Sequence, residues 1–183
     1  MTGDTPMSKI VSVFGSSRPQ EGDEEYRLAR DLGQALAQAG FVVCNGGYGG
    51  IMEASARGAK EAGGRTIGIT VEIFPRTVNR WIDKEIATRS LPERLAKLLD
   101  SADGYVILKG GTGTLLELAY VWEFINKRLT PEKPIVLVGN FWKNVVETLS
   151  EELKWEGLGD CARFLTIVQS PQECVSTLKE KLT

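Results

Sequence analysis

Short, continuously apolar runs separated by longer amphipathic segments constrain this chain more than any other feature. Ile10–Phe14, Phe41–Cys44, Thr66–Thr70, Tyr105–Leu108, Pro134–Val138 and Phe164–Val168 read as strands, with Glu85–Thr88 as a further short one. Their hydrophobicity is unbroken rather than alternating, the pattern of strands buried on both faces. Between them lie segments of helical period. Glu24–Ala39 places Leu28, Leu32, Ala35, Leu36 and Ala39 on one face and stops at Gly40. Further helices are predicted over Ile51–Ala62, from Leu91 onward, from the 109–114 loop to about Lys127, over Trp142–Lys154 and over Pro171–Leu182. Strands alternating with helices imply a parallel sheet covered on both sides. Right-handed crossovers then give an α/β, three-layer, doubly wound Rossmann-like sandwich with a mostly parallel sheet.

In such a sheet, ligands bind where the strands end and the helix N-termini converge. Three loops are expected at that edge: Gly15-Ser-Ser-Arg18, Asn45-Gly-Gly-Tyr-Gly-Gly50 and Lys109-Gly-Gly-Thr-Gly-Thr114. Glycine lets backbone N–H groups approach an anion without a Cβ in the way. The helix that follows adds unpaired donors and a partial positive charge. A phosphate is the natural guest. Gly15, Gly46, Gly47, Gly49, Gly110, Gly111 and Gly113 are therefore candidate binding positions, with Ser16, Ser17, Thr112 and Thr114 as hydroxyl donors. The opposing reading is that the glycines only make tight turns. Neither G-x-x-x-x-G-K-[ST] nor G-x-G-x-x-G is present, which argues against ATP hydrolysis and dinucleotide redox chemistry.

Composition narrows the chemistry further. The chain has 183 residues, 22 basic and 24 acidic side chains, and no histidine. Imidazole acid–base catalysis and histidine metal sites are thereby excluded, and no metal or cofactor is expected. The small negative charge offers no general attraction for nucleic acid or membrane. Three separated cysteines fit a reducing, cytoplasmic setting, and no run is long enough to cross a bilayer. A single domain is expected over residues 9–183, with polar residues 1–8 as a flexible N-terminus.

Gly110-Gly-Thr-Gly-Thr-Leu-Leu-Glu117 is similar to the P-G-G-x-G-T-x-x-E motif of the Lonely Guy (LOG) family, often mislabelled lysine decarboxylase. Gly46-Gly-Tyr-Gly-Gly-Ile-Met-Glu53 and Val13-Phe-Gly-Ser-Ser-Arg18 resemble that family's other two loops, in the same order. The resemblance implies a Rossmann-like homodimer. It also implies a phosphoribohydrolase that splits a nucleoside 5′-monophosphate such as AMP into free base and ribose 5-phosphate. Carried over by position, Glu117 and Arg94 are the catalytic pair, and Gly111, Gly113 and Thr114 hold the 5′-phosphate. The chain departs from the pattern at Lys109, where the motif has proline, and at Leu95, where lysine follows the family's arginine. The second block resembles a divergent branch to which molybdenum-cofactor carrier proteins are also similar. A non-catalytic nucleotide or pterin-phosphate carrier is accordingly the alternative.

The residues also admit plainer readings. Thr114-Leu-Leu-Glu117 and Ser90-Leu-Pro-Glu93 both fit capping boxes. Arg94 stands in a first helical turn, where the macrodipole disfavours a cation, and is either an exposed surface arginine or the partner of an anion. Glu53 suits the dipole at its helix start. Tyr48, Arg80 and Trp81 are candidates to flank a base. Of Trp122 and Phe124, one is expected to pack on the sheet and the other to be left for a dimer contact.

Overall fold

A computed structural model describes residues 8–182 of the chain. The expected flexible N-terminus lies outside the described residues, apart from Ser8. In chain order the elements are β1 (Ile10–Phe14), α1 (Glu24–Gln38), β2 (Val42–Asn45), α2 (Ile51–Glu61), β3 (Thr66–Val71), β4 (Lys84–Thr88) and α3 (Leu91–Ser101). They continue with β5 (Gly104–Ile107), α4 (Thr112–Asn126), β6 (Ile135–Val138), α5 (Lys143–Trp155), β7 (Leu165–Val168) and α6 (Pro171–Lys181). A short 3-10 turn at Cys161–Phe164, not foreseen from the sequence, leads into β7.

The seven strands form one sheet in the order β4-β3-β2-β1-β5-β6-β7. Every pairing is parallel, so the expectation of a mostly parallel sheet is met in full. The central register sets Val13 opposite Val106 and Phe14 opposite Ile107. The winding reverses between β1 and β5, which puts the topological switch point at their carboxyl ends.

Two apolar layers sandwich the sheet. One unites α1, α2 and α6 through Leu32, Leu36, Ala54, Ala59 and Leu178. The other unites α3, α4 and α5 through Leu98, Leu99, Leu118, Trp122 and Val146. Within the first layer, α1 and α2 cross almost backbone to backbone. A Cβ on Gly33 would overlap the carbonyl of Ser55, and one on Gly58 would overlap the carbonyl of Arg30. Only glycine permits that approach. Trp122 is the residue that packs inward, its Nε1 donating to the Cys161 carbonyl at 2.9 Å. Phe124 is half-buried and stacks on Tyr120, with ring centroids 4.3 Å apart. Among the described residues no helix is long and apolar enough to cross a membrane.

Candidate functional site

The three glycine loops and the starts of α3 and α4 meet at the carboxyl edge of the sheet, around a cavity of about 440 Å³. One wall is the N-terminus of α4. Its first intrahelical bond runs from the Leu115 N–H to the Gly111 carbonyl at 3.0 Å. The N–H groups of Thr112, Gly113 and Thr114 precede that bond and have no helical acceptor. All three residues line the cavity, together with Gly111. The facing wall comes from Gly15, Ser16 and Ser17 after β1. Ser16 stitches the loops together. Its N–H donates to the Lys109 carbonyl at 3.0 Å, and its carbonyl accepts from the Ile51 N–H at 2.9 Å.

Gly46 lines the cavity, whereas Gly47, Gly49 and Gly110 do not. The Gly47 N–H is already used by Asn45 Oδ1 at 2.8 Å, and its φ of +78° is left-handed. The Asn79 side chain holds the carbonyls of Gly47 and Tyr48 at 3.1 and 2.8 Å. Gly110 is required for a different reason, since a Cβ there would overlap Thr114 Oγ1. Of these three glycines only Gly47 has its amide engaged within the loop, and Gly110 lines the adjoining cavity of about 320 Å³.

Arg94 and Glu117 form the floor. Both side chains are nearly enclosed, at 7% and 13% exposure, and Arg94 Nη1 lies 3.6 Å from Glu117 Oε1. Arg94 Nε donates to the Ile69 carbonyl at 2.8 Å, and the guanidinium carbon sits 5.8 Å from the Tyr48 ring centre. The space beside it exists because residue 46 has no side chain: a Cβ there would overlap Arg94 Nη2. The arginine is therefore a buried fixture of the site and not a surface residue. Burial pushes the Glu117 carboxyl up to about 7, and Arg94 only partly opposes that rise.

Several sequence expectations change at this point. Helix α4 begins at Thr112 with Gly111 as its N-cap, so no Thr114–Glu117 capping box forms. Thr114 is buried in the first turn, and Glu117 turns toward Arg94. At Ser90 the cap itself forms, the Glu93 N–H donating to Ser90 Oγ at 3.3 Å, while Glu93 Oε2 accepts at 2.9 Å from the N–H of Arg89, one residue before the N-cap, instead of from that of Ser90. Glu53 accepts from the Tyr26 hydroxyl at 3.3 Å. Tyr48 does line the cavity, its hydroxyl pinned to the backbone of Val71. Arg80 and Trp81 do not. Trp81 sits beside Thr66 at the amino end of β3, with the guanidinium groups of Arg80 and Arg57 at 4.7 and 5.6 Å from its ring.

Sequence reading missed Phe74 and Arg76, which reach the cavity from the β3–β4 excursion, and Met52 from α2. No periodicity marks the excursion, so nothing in its sequence pointed there. Asn45 was also missed as an organiser. It is fully buried, with Nδ2 donating to the Met52 carbonyl at 2.8 Å and to Ser55 Oγ at 3.1 Å. An asparagine followed by glycine at a strand end is the turn signal that marks it.

A doubly wound parallel sheet that gathers glycine loops, a helix start and an Arg–Glu pair at its switch edge defines a Rossmann-like protein of the LOG type. The chain belongs to that family, in its SLOG cluster4 branch, whose profile matches residues 8–168. It is 36% identical over 148 residues to an uncharacterized protein of Archaeoglobus fulgidus, covering 79% of this chain and 92% of that one. It is 32% identical over 133 residues to the cytokinin riboside 5′-monophosphate phosphoribohydrolase of Mycobacterium tuberculosis, covering 70% and 69% respectively. Among solved structures, the molybdenum cofactor binding protein of Rippkaea orientalis superposes with a TM-score of 0.76 at 28% identity, covering 98% of this chain and all of that one.

Proposed function

We propose that this protein is a nucleoside 5′-monophosphate phosphoribohydrolase, using water to release a free base and ribose 5-phosphate. The observation that carries the reading is the enclosed Glu117 carboxylate one turn along the helix whose free amides offer a phosphate seat. The 5′-phosphate sits against the N–H groups of Thr112, Gly113 and Thr114, with the Ser16 and Ser17 hydroxyls facing it. The ribose then lies over Glu117 and Arg94. As the bond between C1′ and the base nitrogen breaks, positive charge builds on the sugar. The Glu117 carboxylate stabilises that charge and orients the water that closes on C1′. The departing base carries away the electron pair and takes up a proton. Arg94, held by the Ile69 carbonyl, keeps the carboxylate in place and offers its fork to the ligand. The relatives named as phosphoribohydrolases support this reading.

Incubation with AMP is expected to release adenine and ribose 5-phosphate, and Glu117→Gln is expected to abolish release while nucleotide still binds. The rate should climb with pH through a midpoint near 7 as Glu117 ionises. The likeness to a molybdenum cofactor binding protein favours the carrier as the second reading. Nucleotide binding without any base release would establish it instead.

A further inference from the structure

A second cavity, of about 320 Å³, adjoins the first, and Ser16 and Arg18 stand in the walls of both. It lies at the switch point itself, between the loop after β1 and the Lys109–Gly110 segment after β5, and Phe141 closes its far side. Phe141 is half exposed, and its ring is held in place. Trp142 packs edge-on against it at 4.9 Å and is itself anchored by an Nε1 hydrogen bond to the Leu108 carbonyl at 3.0 Å. The acids at this cavity are already engaged. Glu25 pairs with Lys109 at 2.6 Å, and Asp23 accepts from the Gln20 N–H at 2.8 Å. The Arg18 guanidinium, between the two cavities, has no ion-pair or hydrogen-bond partner among the described residues. A nucleoside monophosphate seated over Glu117 does not meet the Phe141 ring, which lines the second of these two cavities and not the first, and which has Lys109 Nζ 5.9 Å from its centre.

We propose that the two cavities together take a dinucleotide whose nucleosides are joined through a diphosphate. The first nucleoside occupies the site over Glu117 with its phosphate at the α4 amides. The second phosphate meets Arg18 as it crosses the wall, and the second base stacks on Phe141. Open α/β sheets bind ligands in this crevice because the loops on its two sides diverge there. The inference rests on the nucleotide reading only for the position of the first phosphate.

Isothermal titration calorimetry on the Glu117→Gln protein, expected to hold ligand without turning it over, compares AMP with di(adenosine-5′) diphosphate. The dinucleotide is expected to bind at least about tenfold more tightly, the gain that stacking of one base provides. Phe141→Ala in the same background should remove that gain and leave AMP affinity within about twofold, while Phe141→Trp should keep it. Equal affinity for the two ligands, or an equal loss for both on Phe141→Ala, overturns the inference. Base release from AMP by the unsubstituted protein is read separately. Release without a dinucleotide gain overturns this inference alone; a dinucleotide gain without release overturns the hydrolase reading alone.

Discussion

Replacing Glu117 by glutamine should make the folded protein more stable above neutral pH, the opposite of what removing one partner of a buried ion pair ordinarily does. The reasoning starts from the 3.6 Å gap between Arg94 Nη1 and Glu117 Oε1, too long for a strong charge-assisted hydrogen bond. Burial outweighs the attraction, and the carboxyl rises from 4.5 to about 7. At roughly 1.4 kcal/mol per pH unit, the ionised carboxylate is about 3 kcal/mol less favourable in the folded protein than in the unfolded chain. A raised carboxyl means that the native state binds more protons than the unfolded state between pH 4.5 and about 7, so stability falls as pH climbs through that window. Glutamine stands in for the neutral carboxyl and does not titrate. The variant should therefore gain about 1 kcal/mol over the parent at pH 5 and about 3 kcal/mol at pH 8. For a domain of this size that is an upward shift in Tm of roughly 2–4 °C at pH 5 and roughly 6–12 °C at pH 8. Thermal unfolding followed by circular dichroism at the two pH values measures it. A difference between variant and parent that does not change with pH, or a loss of stability at pH 8, would refute the reasoning and make the pair a structural ion pair.

Gly46→Ala should leave the fold intact, because the colliding atoms are the ends of the Arg94 and Met52 side chains, yet displace the guanidinium. Base release should drop by about a hundredfold, the effect of misplacing a positioned group by an ångström, with the circular dichroism spectrum unchanged. The family resemblance implies a homodimer, and α4 carries Leu116 at 42% and Leu115 at 36% exposure, an apolar pair that a partner's surface would cover. Leu116→Glu should then halve the mass seen by light scattering; an unchanged mass would remove α4 as the interface.

Strand positions were legible because a strand buried on both faces has no choice but to be apolar throughout, as Ile135–Val138 is. The site edge followed from topology once the strands were placed. The start of α4 was less legible. This helix carries apolar residues almost all round, from Leu115 and Leu116 outward to Leu118 and Val121 inward, so periodicity could not fix its phase. Thr114 consequently looked like a cap, when its hydroxyl is in fact buried against Gly110. Arg94 showed only as an anomaly, a cation in a first turn; its acceptor at Ile69 lies 25 residues away and has no local signature. Trp81 misled because an aromatic flanked by arginine reads the same whether the ring meets a ligand or two neighbouring guanidinium groups.

The glycine crossing of α1 and α2 has a mechanical result. Those helices carry the loops after β1 and β2, and their near-contact at Gly33 and Gly58 makes them a single plate. Arg94 and Glu117 ride on the opposite plate, with α3 and α4. On the proposed binding mode a phosphate held between Ser16 on one side and Thr112 on the other would bridge both plates like a rivet, so its binding would raise the stability of the whole fold and not of one layer alone.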